Sequence, residues 1–258
     1  MSASAPTASI PESAYSAEFF DHLDRQTRAS AEVIVPMVMD LLGPTSIVDV
    51  GCGRGVWLSV FREAGVERVA GLDGSWVDLR QLAIPGECFQ AVDLTADWPA
   101  PGTCDLAVSL EVGEHLAEAA SARLVENLTR AANVVLFSAA LPGQEGTHHI
   151  NEQWPEFWEG LFAERGFARL DPFRRRIWQD PRVAWYYQQN LTLFVATSRV
   201  EQSPELREER DRATNCQLTL VHRKILRPMK HARPALTLLP RLFLEAFRKR
   251  WNRLTGGR

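Results

Sequence analysis

Two carboxylates and a histidine stand close together at residues 111–115, with types and spacing that suit chemistry. Glu111, Glu114 and His115 form the pattern E-x-x-E-H directly after an apolar run. On a turn that enters a helix, positions i, i+3 and i+4 share one face, so these side chains can converge. Two carboxylates and an imidazole can bind a divalent cation, and a bound cation lowers the pKa of a hydroxyl group. The alternative is a helix cap, because an acid in the first turn suits the helix dipole.

A polar loop further along the chain offers more candidates. The run 143–152, GQEGTHHINE, is rich in glycine and polar residues, which predicts a loop at the same edge of a sheet. A histidine with an ordinary pKa of about 6.5 suits proton transfer at neutral pH, so His115, His148 and His149 are candidate general bases. His149 is also the candidate fourth ligand for a cation held by the E-x-x-E-H residues. Glu111 completes the set of candidate catalytic residues.

The run 47–57, IVDVGCGRGVW, predicts a strand, a tight glycine-rich turn and the start of a helix. The N–H groups at such a helix start can face a ligand. A dinucleotide fingerprint reads G-x-G-x-x-G, but here the third glycine comes one residue early and Val56 occupies the last position, which disfavours a nicotinamide dehydrogenase. Asp49 would repel a pyrophosphate but can accept a hydrogen bond from an ammonium group.

Acids also follow the next two predicted strands. Asp73 ends the second strand about twenty residues after the glycine turn, where a carboxylate can accept hydrogen bonds from both ribose hydroxyls. Gly74 and Ser75 come directly after it. Asp93 and Leu94 follow the third strand. Because ligands of open α/β sheets bind outside the carboxyl ends of the strands, these positions should meet at one edge.

Alternating apolar runs and helical patterns predict a parallel sheet with right-handed crossovers. The predicted strands are 47–50, 68–72, 88–92, 104–110, 134–138, 169–177 and 191–198, and the predicted helices are 15–42, 56–64, 119–132 and 153–165. Pro36 predicts a break or kink in the first helix. The three arginines at 174–176 read as a solvated strand face, with an anionic acceptor as the alternative.

The composition suits one α/β domain with additions, since the chain has 258 residues of which 45% are hydrophobic. Four scattered cysteines without a CxxC pair favour reduced thiols in the cytoplasm. No apolar run reaches membrane-spanning length, and the Ala-, Ser- and Pro-rich start reads as a disordered leader over 1–14. The main domain is predicted over 15–200 and a basic helical extension over 201–258.

The charge is unevenly distributed. The segment 223–258 has a net charge of +10, and the rest of the chain has a net charge of −13. An acidic body disfavours nucleic acid as a partner, because phosphate binding needs a basic groove. The stretch 234–254 reads as a basic amphipathic helix with Trp and Phe, which can make peripheral contact with an anionic membrane. Docking on the body, or on a second subunit in a homodimer, is the equal alternative.

The DVGCGRG run at 49–55 closely resembles motif I of the class I S-adenosylmethionine (SAM) methyltransferases. The resemblance implies an α/β fold with a Rossmann-like sheet of seven strands, the last one antiparallel, helices on both faces, and an N-terminal lid helix. Tyr15 and Phe19 are candidate lid residues, with core packing the favoured role of Phe19. The C-terminal helical tail is predicted from the pattern of 234–254. It implies SAM as cofactor, with an acid after the third strand near the adenine amino group and the next apolar residue packed on the ring. The implied cofactor contacts are Asp49, Gly51, Cys52, Gly53, Gly55, Trp57, Asp73, Gly74, Ser75, Asp93, Leu94, Leu110 and Glu111.

The E-x-x-E-H pattern is similar to that of ubiquinone-pathway O-methyltransferases and small-RNA 2′-O-methyltransferases, where it holds a divalent ion. That similarity implies Mg²⁺ or another divalent metal at Glu111, Glu114, His115 and His149. The run THHINEQWPEFW resembles bacterial methyltransferases of glycan or secondary-metabolite pathways. We therefore expect methyl transfer from SAM to a hydroxyl oxygen of a small molecule or sugar unit, with an aromatic acceptor pocket near Trp178, Trp185, Tyr186 and Tyr187. N- or C-methylation and a non-catalytic SAM-binding regulatory protein are the alternatives.

Overall fold

The computed structural model describes residues 17–98, 102–214 and 219–225. The described residues up to Leu220 belong to one compact unit, and residues 221–225 belong to a second. The predicted leader and the amphipathic stretch 234–254 lie outside the described residues. No helix in the described part of the chain combines the length and apolarity needed to cross a membrane.

The first unit is built on one seven-stranded sheet, in the order β3-β2-β1-β4-β5-β7-β6. The strands are β1 Ser46–Val50, β2 Arg68–Asp73, β3 Phe89–Ala91, β4 Leu106–Leu110, β5 Val134–Ser138, β6 Phe167–Leu170 and β7 Thr192–Ala196. All pairings among β1 to β5 are parallel, whereas β7 runs antiparallel to both β5 and β6. The predicted fold class, with its antiparallel last strand, is confirmed.

Helices cover both faces of the sheet, which explains the nearly continuous apolar sequences of the central strands. They are α1 Ala17–Leu42, α2 Val56–Glu63, α3 Ser121–Ala131, α4 Pro155–Ala163, α5 Arg174–Ile177, α6 Trp185–Asn190, α7 Thr197–Gln202 and α8 Pro204–Thr214. Successive strand residues point to opposite faces, so Ile47 packs in one core with α1 and α2, and Val48 in the other with α3 and α4. A three-layer domain results.

The first helix does not break at Pro36, so the predicted break is wrong, whereas a kink at this position stays a prediction. The helix α1 is continuous from Ala17 to Leu42 with Pro36 inside it. Pro36 has no N–H, so the carbonyl of Glu32 lacks its helical hydrogen bond. Both residues are exposed. Water can therefore satisfy that carbonyl, and the helix tolerates the proline.

The predicted sixth strand, 169–177, matches the observed strand only at residues 169 and 170. The strand β6 ends at Leu170, and residues 174–177 form the short helix α5. Arg174 is buried rather than solvated, because its guanidinium lies 2.6 Å from a carboxylate oxygen of Asp171 and donates to the carbonyl of Gln189 at 3.2 Å. An arginine satisfied in this way is part of the structure and faces no anionic acceptor.

Candidate active site

The glycine turn after β1 leaves an open space beside the backbone. Gly51, Gly53 and Gly55 have φ angles of 82°, 52° and 78°, which favour glycine. A Cβ atom at Gly51 would lie 2.3 Å from the Val112 side chain, whereas one at Gly53 would meet nothing within 4 Å. Gly51 is therefore required by packing, and Gly53 borders a cradle that a side chain would fill.

Asp73 braces this turn from the end of β2. One carboxylate oxygen accepts a hydrogen bond from the Gly53 N–H at 2.7 Å, and the other accepts from the Gly74 N–H at 2.6 Å. Burial raises the pKa of Asp73, and the two backbone donors partly offset that rise. The carboxylate thus joins the ends of β1 and β2, and each oxygen retains a second lone pair for a ligand.

Asp49 is buried one strand away and has no hydrogen-bond donor among the described residues. It is 3% exposed. Burial, together with the negative charge of Asp73, raises the pKa of Asp49 to about 8. A positively charged group placed beside this carboxyl would restore its ionised form.

One cavity of about 340 Å³ connects the glycine turn to the polar cluster after β4. It is lined by Asp24, Thr27, Asp49, Gly51, Cys52, Gly53, Arg54, Val56, Trp57, Leu110, Glu111, Glu114, His115, Gln144, Glu145, Thr147, His149, Trp185, Tyr186 and Tyr187. The structure therefore brings together most of the residues that the sequence predicted, at the carboxyl ends of β1 and β4.

Three of the four predicted metal ligands converge in this cavity. Glu114, His115 and His149 each offer one ligand atom, and these atoms lie within 4.8 Å of one another. Both carboxylate oxygens of Glu114 are buried without a hydrogen-bond partner among the described residues. Burial raises the pKa of Glu114 well above its usual value, and the neighbouring carboxylate of Glu111 raises it further. Such a carboxyl fits a site where a cation replaces the proton.

The three candidate histidines are not equivalent. The rings of His115 and His149 meet edge to face with centroids 5.0 Å apart. Although His115 is exposed as a residue, desolvation of its ring and the neighbouring His149 hold its pKa below the ordinary value, and the hydrogen bond to the His148 backbone offsets part of that change. The neutral form of His115 is therefore favoured. His148 is exposed, and its backbone carbonyl, 3.4 Å from Nδ1 of His115, is the part that reaches the cluster. The side chain of His148 does not line the cavity, so its predicted role as base loses support.

Glu111, the fourth predicted ligand, belongs to a different network. Its carboxylate accepts hydrogen bonds from the Gln144 amide at 2.7 Å and from the Asn190 amide at 3.0 Å. The oxygen of Gln144 in turn accepts from Asn190 and Gln189. Sequence analysis missed Gln189 and Asn190, although the polar run before the apolar strand β7 was a signal.

Aromatic residues of α6 form another wall of the cavity, as predicted for Trp185, Tyr186 and Tyr187. The Trp57 ring N–H donates to the Tyr187 hydroxyl at 3.3 Å, and the two rings meet edge to face. Trp178 does not line this cavity. On α1, Asp24 and Thr27 also line it, and the guanidinium of Arg54 lies 2.8 Å from the Asp24 carboxylate. Tyr15 and the side chain of Phe19 lie outside the described residues.

The other predicted cofactor contacts do not line this cavity, and these are Gly55, Asp73, Gly74, Ser75, Asp93 and Leu94. Ser75 is exposed and Gly74 is buried next to Asp73. Asp93 is exposed, and its carboxylate accepts from the N–H and hydroxyl of Thr95. Leu94 is buried in the core, 5% exposed. Their contact with adenosine stays a prediction.

The comparison with known families identifies the class of the chain. A family model described as a methyltransferase domain matches residues 20–174, more than half of the chain, and the chain belongs to that family. With the fold and the motif I turn, this makes the chain a class I SAM-dependent methyltransferase. No curated protein sequence matches the chain.

Solved structures share the fold at low sequence identity. DesVI of Streptomyces venezuelae has a TM-score of 0.53 and 15% identity, over 69% of this chain and 95% of DesVI. The sugar N-methyltransferase KedS8 from a Streptoalloteichus species has a TM-score of 0.54 and 17% identity, over 76% of this chain and 98% of KedS8. The plantazolicin methyltransferase BpumL, solved with a desmethyl plantazolicin analogue and S-adenosylhomocysteine (SAH), has a TM-score of 0.50 and 15% identity, over 69% of this chain and 88% of that chain.

The buried Asp49 predicts that the ligand-free protein loses stability as the pH rises. In the unfolded chain this carboxyl ionises at its ordinary pKa of 3.8, whereas in the folded protein it keeps its proton until about pH 8. Because the unfolded state releases the proton first, this group lowers the free energy of unfolding between those two values. Thermal unfolding should show Asp49→Asn gaining stability over wild type as the pH rises from 3.8 to 8. Parallel curves for the two proteins would contradict the assignment.

Proposed function

We propose that this methyltransferase acts on a hydroxyl oxygen of a small-molecule acceptor that carries a sugar or similar ring. The observation that carries the proposal is the Glu114–His115–His149 cluster, which shares a cavity with the cofactor turn. A hydroxyl group starts protonated and is a weak nucleophile, so its methylation gains from a group that lowers its pKa or removes its proton. A neutral amine needs neither, but an aliphatic amine starts protonated near neutral pH and would gain from the same base, which keeps N-methylation as the alternative.

The cofactor half of the cavity fits SAM. We infer that the buried carboxyl of Asp49 accepts hydrogen bonds from the ammonium group of SAM, while Gly53 leaves room for the ligand next to the backbone. Asp73, with its remaining lone pairs, is placed to accept from the ribose hydroxyls. SAM supplies an activated methyl group, so the task of the protein is to hold donor and acceptor in line. We keep Asp93 and Leu94 as the adenine contacts.

We further propose that Glu114, His115 and His149 hold Mg²⁺ or another divalent cation. Buried carboxylate oxygens without hydrogen-bond partners are the feature that supports it. A divalent cation in this position would orient the acceptor hydroxyl and lower its pKa. Glu111 lies outside the three residues whose ligand atoms are within 4.8 Å of one another, and its oxygens accept from Gln144 and Asn190, so its place as a further ligand stays a prediction from the sequence. If no cation binds, the proton of the acceptor passes to Nε2 of His149, and His149 is the general base.

The lining of the acceptor half supports a sugar-like ring. Trp185 and Tyr186 offer aromatic faces, and Gln144, Glu145 and Thr147 offer hydrogen-bonding groups around them. Flat apolar faces beside planar polar groups suit a ring that has one apolar face and a rim of hydroxyls. The structural neighbour KedS8 is described as a sugar N-methyltransferase, which favours a sugar acceptor and keeps N-methylation as the second candidate.

Carboxylates outnumber guanidinium groups in the cavity lining, so we propose no nucleic-acid acceptor. A cytoplasmic location, a peripheral membrane contact through the basic C-terminal stretch, and a homodimer remain predictions from the sequence. The boundaries of the leader, main domain and extension stay predictions as well.

The fate of a labelled methyl group tests the proposed function. The protein, methyl-¹³C SAM and a small-molecule extract of its source cells should yield a new methyl carbon whose chemical shift is that of an O-methyl group. Gly53→Val should abolish the signal, because its side chain fills the cradle and φ of 52° is strained for valine. An N- or C-methyl signal would overturn O-methylation, and SAM binding without transfer would support a non-catalytic protein.

Manganese binding tests the cation site without the acceptor. In the presence of SAH, wild-type protein should bind Mn²⁺, as measured by electron paramagnetic resonance, and Glu114→Gln should weaken that binding by at least about tenfold because an amide lacks the charge that binds a hard cation. Glu118→Gln, an exposed carboxylate nearby, is the matched control and should change nothing.

A wild-type protein that binds no Mn²⁺ would remove the cation from the proposal. His149→Ala should then lower the transfer rate by about 10²–10⁴, the usual contribution of a general base.

A further inference from the structure

Left-handed backbone at non-glycine residues is concentrated beside the polar cluster. In the described part of the chain, the non-glycine residues with positive φ are Glu111 at 57°, Glu145 at 56° and His148 at 59°. Each such residue costs free energy and persists only where surrounding contacts enforce it. Two of the three lie in the loop 143–152, so this loop must be held by specific contacts.

Glu152 provides those contacts. One of its carboxylate oxygens accepts from the Gly143 N–H at 2.7 Å, and the other accepts from the Glu145 N–H at 2.8 Å. Nδ1 of His149 lies 2.9 Å from that second oxygen. The Glu152 side chain is 19% exposed and that of His149 is 12% exposed, so water competes weakly for these bonds. One carboxylate thus fixes both the loop backbone and the imidazole.

This contact determines which ring nitrogen of His149 carries the proton. An ionised carboxylate only accepts hydrogen bonds, so Nδ1 must be the donor. In the neutral imidazole the lone pair is then on Nε2, and Nε2 is the nitrogen free to act in the cluster with Glu114 and His115. Carboxylates that hold a histidine in this way raise the basicity of the second nitrogen and fix the ring plane.

Gly146 supports the ring from the other side. A Cβ atom at Gly146 would lie 2.2 Å from Nε2 and 2.5 Å from Cε1 of His149. Its φ is not in the left-handed region, so the backbone does not require glycine there. The contact with the imidazole requires glycine, because any side chain at this position would displace the ring.

We propose that Glu152 is a positioning residue that holds His149 as the Nδ1–H tautomer, with Nε2 presented to the cluster and Gly146 supporting the ring. The use made of Nε2 rests on the proposed function, whereas the tautomer and the ring position do not depend on it. The sequence did not suggest this role for Glu152, because its contacts with His149 and with the loop backbone form only when the loop is folded.

The tautomer can be measured directly by NMR on protein labelled with ¹⁵N-histidine at alkaline pH, with His149→Gln to assign the signals. Wild-type His149 should show a protonated Nδ1 and an unprotonated Nε2. In Glu152→Gln the amide cannot accept from all three donors, so the His149 signals should shift toward the other tautomer or a mixture. Glu156→Gln, exposed in the next helix, should leave them unchanged.

A wild-type Nε2–H tautomer, or a Glu152→Gln spectrum identical to wild type at His149, would overturn the proposal. If Glu152→Gln fails to fold, two measurements still test the proposal. They are the tautomer of His149 in the wild-type protein and the comparison of Gly146→Ala with Gly160→Ala. Gly146→Ala should move the His149 signals and weaken Mn²⁺ binding by about 10–100-fold. Gly160→Ala, where a Cβ meets nothing within 4 Å, is the control. An Nδ1–H tautomer without Mn²⁺ binding or O-methylation would sustain the positioning role and remove only the proposed function.

Discussion

Carboxyl groups buried at the carboxyl edge of the sheet are the constraint on which the site depends. A buried carboxylate needs donors or a cation to replace its lost hydration. Asp73 receives two backbone N–H groups, and Glu111 receives side-chain amides. Asp49 and the two buried oxygens of Glu114 have no hydrogen bond of ordinary geometry from the described residues, although the N–H groups of Glu114 and Ala140 lie close enough to the Glu114 carboxyl to offset part of its pKa rise. Burial raises the pKa of both acids. The two unsatisfied acids lie in the same cavity, one beside the glycine turn and one beside the histidines, which are the places where an ammonium group and a metal ion would supply positive charge.

The parallel sheet places these groups together because strands β1, β2 and β4 are neighbours and end at one edge. The glycine turn then keeps that edge open at Gly53. Loops after β4 and β5 supply the polar cluster, and the helix α6 before the antiparallel strand β7 supplies the aromatic wall. On the proposed function, cofactor and acceptor contacts come from different segments, which suits a fold that keeps one methyl donor and changes its acceptors.

The sequence predicted the bounds of strands and helices well where residues within or next to the element determine them. The strand β5 has its predicted bounds, and β1 and α2 differ by one residue, because apolar runs punctuated by glycine determine them. The sequence pattern predicted a strand where the helix α5 lies. It missed the helix because Arg174 is buried by its contacts with Asp171 and with the carbonyl of Gln189, which is distant along the chain. The hydrogen-bond partners of Glu111 were missed for the same reason. Its partners Gln144 and Asn190 lie 33 and 79 residues away along the chain, and only the folded sheet brings them together.

The most direct test of the central claim, that one cavity joins the methyl donor to the polar cluster, is a crystal structure with SAH and Mn²⁺ measured at a wavelength that reveals manganese. SAH should lie against Gly53 and Asp73 with its sulfur directed toward the cluster, and an anomalous peak should be bounded by Glu114, His115 and His149. SAH bound with its sulfur directed away from this cluster, in a pocket that does not reach it, would show that the donor and the cluster do not share one cavity.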